Sequence, residues 1–424
     1  MRAAKYIIFL ICLCALPSAF CAERAVVLGL DEAIAIALRD NREILLDQEE
    51  LAKAGHKIQE AKSAYLPEVK ITSGSTYTRG LYRKDINSYS FQAGLKQYLY
   101  QGGKAANTLK QAKYEQQAQE AALEKSLAAV IKDVKKSFYA FLIAREFAGL
   151  NQRVLENQFA HLEAIKEKQA KGEASESEML KALHGLSDAR YLQEASLNQL
   201  ENAKTLFKDI LALENKTEVE LSGDFEYSPK EIAVDSAILK ALEARPEISE
   251  YAALEKADAS AVEIARSGGR PSIYGTFDYY SRSTTSLSFS PGKGWQDYNT
   301  VGFTFSWPVF DGWLTKAKVE QALSDLKQDR IMRDKLQADI ASQVKNAYLS
   351  LKTALAGLEP KKREIELYQD YLKTAEDKYK EGILSELGLD DVRLALRVSD
   401  FNRRQGLYDC LAARAELDLA MGVK

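Results

Sequence analysis

Apolar side chains recur through residues 104–171 as Leu123, Leu127, Val130, Val134, Phe138 and Phe141, five steps over 18 residues. That is the 3.6-residue period of an undistorted α-helix with one face turned to a core. No proline and a single glycine, Gly149, fall in this stretch, so the spacing predicts one helix, about 100 Å long at 1.5 Å per residue. Helical spacing also covers 31–64, with Asp31 as N-cap, and a return segment at 175–212. These two together match the long helix in length and can run beside it end to end. Between 31–64 and the rod the period drops to two. Pro67 ends the helix, strands are predicted at 67–78 and 89–100, and Gly102-Gly103 marks the return to helix.

The same order is written twice. Asp31 to Leu38 matches Asp235 to Leu242, Asn41-Arg-Glu-Ile44 matches Arg245-Pro-Glu-Ile248, and Pro67 matches Pro271, all 204 residues apart. Leu99-Tyr-Gln-Gly102 matches Val309-Phe-Asp-Gly312, Val134-Lys135 matches Val344-Lys345, and Gly172 matches Gly382, all 210 apart. The extra residues of the second copy therefore fall between Pro271 and Gly312, where the polar stretch 281–299 exceeds its counterpart 79–88. The expected organisation is a first repeat at 23–214, a linker at 215–234 and a second repeat at 235–424. The second repeat holds a helix at 235–266, strands at 271–281 and 298–309, a long helix at 312–380 and a return helix at 386–422. Pro360 is expected to kink or interrupt that long helix, and Ser385 to Val392 reads as longer than the matching start of the first return helix.

Each strand has one apolar, aromatic face and one small, polar face. Tyr89, Phe91, Ala93 and Leu95 alternate with Ser90, Gln92, Gly94 and Lys96; Val301, Phe303, Phe305 and Trp307 alternate with Thr300, Gly302, Thr304 and Ser306. Ile273, Phe277 and Tyr279 oppose Ser272, Thr276 and Asp278. A soluble sheet over a core and a lipid-facing barrel wall both fit this alternation. The rods point away from the sheet and leave nothing to cover its apolar face, which favours the barrel. Four strands cannot close around a lumen, and open edges in lipid leave backbone groups unpaired. Partner chains are therefore required.

The N-terminus reads as a secretory leader over residues 1–22: Arg2 and Lys5, an apolar run from Tyr6 to Leu16 too short for a typical membrane span, then Ser18, Ala19 and Ala22. Cys12, Cys14 and Cys21 belong to it, so only Cys410 remains afterwards and no disulfide framework is expected. Cys21 is a possible lipidation position, which bulky Phe20 disfavours. The formal charge of −3 gives no reason to expect nucleic acid. His56, His161 and His184 sit in separate helical stretches without metal-site spacing. No nucleophile has a base beside it and no glycine-rich loop follows a strand, so neither an enzyme, a cofactor nor a metal is expected.

The Asn41-Arg-Glu-Ile44 and Arg245-Pro-Glu-Ile248 openings, Ala61-Lys-Ser-Ala-Tyr-Leu-Pro67, Tyr100-Gln-Gly-Gly103, Phe310-Asp-Gly312 and the Gly172 and Gly382 turns recur in order through most of the chain. In this the chain resembles the TolC-like outer-membrane efflux protein family. The resemblance implies an internally duplicated α+β membrane protein, with long α-helical hairpins forming a periplasmic tunnel. Its four strands would contribute to a twelve-stranded β-barrel of a homotrimer in outer-membrane lipid. It implies an exit duct for efflux or type I secretion, whose partners are a periplasmic adaptor and an inner-membrane RND, MFS or ABC transporter. A periplasmic scaffolding coiled coil is the alternative that the residues themselves leave open. Family position makes Gly172, Ser175, Gly382 and Ser385 adaptor-contact hairpin tips, and Asp390, Asp391 and Tyr379 candidates for the tunnel aperture.

Overall fold

The computed structural model describes residues 26–81, 84–214, 216–229, 232–284 and 294–423. The leader read at 1–22 lies outside the described residues. In chain order the elements are β1 (Val26–Leu28), α1 (Leu30–Asp40), α2 (Arg42–Ser63), β2 (Glu68–Leu81), β3 (Lys84–Gln101), α3 (Lys104–Ala170), α4 (Glu176–Ile210) and β4 (Val219–Leu221). The second copy follows as α5 (Val234–Ala244), α6 (Pro246–Ser267), β5 (Ser272–Ser283), β6 (Trp295–Ser306), α7 (Leu314–Lys380) and α8 (Glu386–Ala420).

The two rods α3 and α7 each contain 67 residues, about 100 Å. In the half nearer the strands the helices lie in the order α2, α3, α6, α7; in the other half the order is α4, α3, α8, α7. Thus α3 is interior to both halves and α7 stands at the edge of both. Pro360 does not interrupt α7, contrary to the expectation from its missing amide. Packing offsets its cost of roughly 3 kcal/mol: Leu358 is buried, and Gly406 of α8 leaves room for Leu358 and Lys361, whose side chains lie 3.0 and 3.1 Å from where a Cβ on Gly406 would be. The return helices α4 and α8 are equal at 35 residues, so the second carries no insertion and the 210-residue offset holds throughout.

The helices expected at 31–64 and 235–266 are each broken in two. At the first break Asn41 is extended, and its side-chain oxygen accepts from the amides of Glu43 and Ile44 as the N-cap of α2. Its amide nitrogen donates to the carbonyl of Ile210, 2.8 Å away, at the last residue of α4. One side chain thereby starts one helix and fastens it to the end of another, and α2 and α4 stack end to end beside α3. In the second copy Arg245 stands at this position with Pro246 as the first residue of α6. Arg245 pairs with Glu247 at 2.6 Å and donates to Gln343 of α7.

The main core gathers around these breaks. Ile44, Val134, Phe138, Leu142, Phe207, Leu211 and Cys410 are almost wholly buried in it, with Phe207 against Phe138 and Phe141. A second cluster joins Ala237 and Ala241 of α5 to Ile340, Val344 and Leu417. The stretch read as a linker contains β4, which pairs in parallel with β1, Val27 opposite Glu220. The larger sheet has the order β2-β3-β5-β6, all antiparallel, and among the described residues the outer edges of β2 and β6 have no strand beside them. Its strands run into the segment read as a polar loop at 79–88, because Thr76 pairs with Ser88, Tyr77 with Asn87, Thr78 with Ile86 and, after an irregularity, Leu81 with Lys84. Strand β6 stops at Ser306, before Pro308, which has no amide to give.

Ala212 and Asp258 are among the positions that store unfavourable energy. Ala212 follows α4 at φ +54°, where the second copy has Gly422 at φ +71°. Ala212→Gly removes the Cβ clash of the left-handed region and is expected to stabilise the protein by about 1 kcal/mol, read as a raised midpoint in thermal unfolding. On α6, burial and then the charge and hydrogen bond of Asp329 push the Asp258 carboxyl up to about 6. Its folded value thus lies above its unfolded one, so folding takes up a proton between them. Stability from this group is full below about pH 4 and is lost as pH rises through 6. Asp258→Asn should therefore raise the unfolding midpoint at about pH 7.5, by about 1 kcal/mol after allowing for solvent screening, with the gain vanishing near pH 4.

Candidate functional site

Strand register sorts the sheet into two faces. Val69, Leu95 and Phe277 share one with Val301, and Ile71, Ala93 and Tyr279 continue it. Among the described residues no helix lies over this face: Val69, Ile71, Val301, Phe303 and Phe305 are all strongly exposed, Phe303 at 79%. A contiguous apolar patch of this extent on an isolated chain requires a non-aqueous neighbour or a partner. Aromatics mark its far end, where the Phe91 and Tyr279 rings meet edge to face at 6.5 Å, and Trp307 and Phe310 mark its near end.

The opposite face is polar and internally bonded. Gln92 donates to Asp278 at 3.0 Å and to the Tyr280 hydroxyl at 3.1 Å. Tyr280 and Tyr298 stack at 4.9 Å with the Arg282 guanidinium above both rings. The Lys96 ammonium lies 4.6 and 4.4 Å from the centroids of Tyr98 and Tyr274. Lipid on one side and water on the other are what these two surfaces suit.

At the other end of the rods, Gly172 turns α3 into α4 at φ +77°, and Gly382 turns α7 into α8 at φ +74°. A Cβ at either would meet no other atom, so backbone conformation rather than crowding selects glycine. Ser175 caps α4 in a reciprocal capping box with Glu178, whose carboxylate accepts from the Ser175 amide at 2.7 Å. Those contacts, the backbone one first, hold the Glu178 carboxyl below its usual range. Ser385 caps α8 through the amide of Gly388. The second tip has its own small core of Ala375, Leu389 and Val392 with Leu384 against it, while Ile383 projects with 70% of its surface exposed.

Asp390 and Asp391 stand where the first copy has Leu180 and Lys181, and the structure separates them. Asp390 is half exposed and ion-paired with Arg393 on its own helix at 3.0 Å. Asp391 faces α3, where its Oδ1 lies 2.6 Å from Nε2 of His161 and accepts from Asn157 at 2.9 Å. Tyr379, in the last turn of α7, is 42% exposed. This three-residue contact ties the start of α8 to α3 and places both hairpin tips at the same end of the molecule.

Sequence reasoning missed His161 and Asn157 as partners of Asp391, because they lie more than 200 residues away and no local spacing links them. Their separation of four on one helix face was the available signal. The Asp258–Asp329 contact between α6 and α7 was missed for the same reason. Among the described residues no three or more His, Cys, Asp or Glu side chains gather as a metal site, and no helix is long and apolar enough to cross a membrane.

Similarity to known proteins agrees with this geometry. Nodulation protein T of Rhizobium leguminosarum bv. trifolii is 23% identical over 89% of this chain and 81% of its own length. Among solved structures, the Campylobacter jejuni CmeC outer membrane channel superposes with a TM-score of 0.78 at 17% identity, covering 93% of this chain and 85% of that one. The open state of the Neisseria gonorrhoeae MtrE outer membrane channel gives 0.74 at 16% identity, covering 93% and 89%. The family model described as outer membrane efflux protein matches residues 33–210 and 237–423, one block for each copy. The chain therefore belongs to the outer membrane efflux protein family, a family of channels and not of enzymes, and has the fold of outer membrane channels.

Proposed function

We propose that three copies of the chain close into one duct, a homotrimer whose twelve strands form a barrel in outer-membrane lipid and whose helices form the tunnel below it. The observation that carries this reading is where the open edges lie. The first copy supplies one edge at every level, through β2, α2 and α4, and the second copy supplies the other, through β6 and α7. Such heterologous edges close into a ring by rotation about one axis. Because the strand number per chain is even, β6 of one chain meets β2 of the next antiparallel, as every other neighbour in the sheet does.

The duct is passive. Its hairpin tips, turned at Gly172 and Gly382 and capped by Ser175 and Ser385, are the docking points for a periplasmic adaptor. That adaptor links the duct to an inner-membrane transporter of the RND, MFS or ABC class. Asp390, exposed on the first turns of α8, is the better candidate for the aperture; with Tyr379 it would repeat around the axis. Asp391, engaged by His161 and Asn157, holds α8 against α3 instead. A carboxylate ring at a narrow point favours cations.

Two measurements test this reading. Phe303→Arg puts a charge on the lipid face at an expected cost of about 2–4 kcal/mol near the bilayer midplane. It should therefore abolish recovery of a detergent-stable oligomer from outer membranes, whereas wild-type yield would remove the lipid-facing assignment. In planar bilayers Asp390→Asn should lower the preference for cations over anions, read from the reversal potential in a salt gradient. An unchanged reversal potential would take Asp390 out of the aperture.

A further inference from the structure

The two offsets that relate the copies also relate their strand registers. Val69 pairs with Leu95, and Ile273, 204 residues beyond Val69, pairs with Phe305, 210 beyond Leu95. Ile71 with Ala93 and Gly275 with Phe303 repeat the correspondence. Each contact from the end of copy one to the start of copy two, seen here within the chain, therefore has an image. The image runs from the end of copy two to the start of copy one in the neighbouring chain.

Within the chain that joint is tight at its base. Gly102, at φ +64°, is roofed by the turn between α6 and β5: a Cβ on it would lie 2.7 Å from Cβ of Arg270 and 3.0 Å from the carbonyl of Ser267. Arg270 donates to the Gly102 carbonyl at 3.1 Å and pairs with Glu263 at 2.9 Å. The image of Gly102-Gly103 is Gly312-Trp313. Gly312 has the same conformation at φ +66°, yet nothing lies within 4 Å of its Cβ position. Trp313 sits at φ +68°, a costly place for a bulky side chain, and is 68% exposed, with Phe310 and Lys316 near its ring. The images of Ser267 and Arg270 are Ser63 and Leu66, and Leu66 is 66% exposed.

We propose that the Gly312-Trp313 turn is a socket for a second copy of this chain, filled by Tyr65 and Leu66 from the turn between α2 and β2. This rests on the closed-ring reading above and specifies its joint. The polar clasp of Arg270 on Gly102 becomes an apolar one, with Leu66 over Gly312 and Trp313. Above it the image register sets Phe310 beside Val69, Phe305 beside Ser73, Phe303 beside Ser75 and Val301 beside Tyr77. Phe303 and Phe305 there meet serines, as Phe303 already meets a small residue across β5, where its ring lies 3.5 Å from the Cβ position of Gly275. Burial of an otherwise exposed indole is what offsets the left-handed backbone at Trp313.

Cysteine pairs in the full-length chain carrying Cys410→Ser test the joint, with oxidation in outer-membrane vesicles. Trp313→Cys with Leu66→Cys, and Phe303→Cys with Ser75→Cys, should each form disulfide-linked oligomers. The shifted pair Phe303→Cys with Tyr77→Cys should not. Linkage of 303 to 75 without linkage of 313 to 66 overturns the clasp and leaves the ring standing. Preferential linkage of 303 to 77 overturns the register. Absence of all linkage from a protein that runs as a monomer overturns the ring and the joint with it. Trp313→Gly, which copies the first repeat, should lower the temperature at which the oligomer dissociates in detergent; an unchanged temperature also removes the clasp.

Discussion

A backbone amide left unpaired in hydrocarbon costs several kcal/mol, and this chain carries a four-stranded sheet with both edge strands open beside an apolar face. The constraint decides what the rest of the molecule must be. The sheet cannot bury its face against its own helices, because those run away from it as 67-residue rods. It cannot close on itself, because four strands leave no room for a lumen. The same incompleteness is repeated down the rods, where the edge helices have exposed apolar residues such as Tyr191 on α4 and Leu367 on α7. In the ring proposed above, the molecule is one sector of a cylinder at every level.

What gives the sector its rigidity is the pair of breaks halfway along. Asn41 and Arg245 each break a long helical pattern into two helices, and each fastens the break from a buried position, Asn41 to the end of α4 and Arg245 to α7. Around the breaks lie the largest buried side chains and the small β1–β4 pair. Toward the strand end the buried side chains are more often alanine, and at the second tip there is a three-residue cluster with two neighbours.

The parts of this architecture that were legible in the sequence are those written as periods. The spacing of Leu123 to Phe141 dictates a rod because it repeats over many turns, and the alternation Val301 to Trp307 dictates a two-faced strand. The repeat itself is visible because glycines and prolines survive at turns where few other residues fit. Asn41 was misread as mid-helix because its effect lies in a side chain that reaches across to Ile210, which local spacing does not encode. Pro360 was overweighted for the converse reason: the cost is local, but the compensation comes from Gly406 on another helix. The aperture was the least legible part. Asp390 and Asp391 are identical in type and adjacent, and contacts with distant His161 and Asn157 set Asp391 apart.

Duplication has a consequence for how the cylinder's seams can vary. A chain with a single copy would present one kind of edge to itself, and every seam around the ring would have to be chemically the same. In the proposed ring, fusing two copies makes alternate seams independent: one lies inside the chain, where its partners are always present, and the other between chains, where they must be found. The covalent seam can rest on a charged side chain reaching a carbonyl, as Arg270 does to Gly102. The other holds an exposed indole in the matching place, a group that gains most when water leaves it. Each seam is thus free to suit the way it is made.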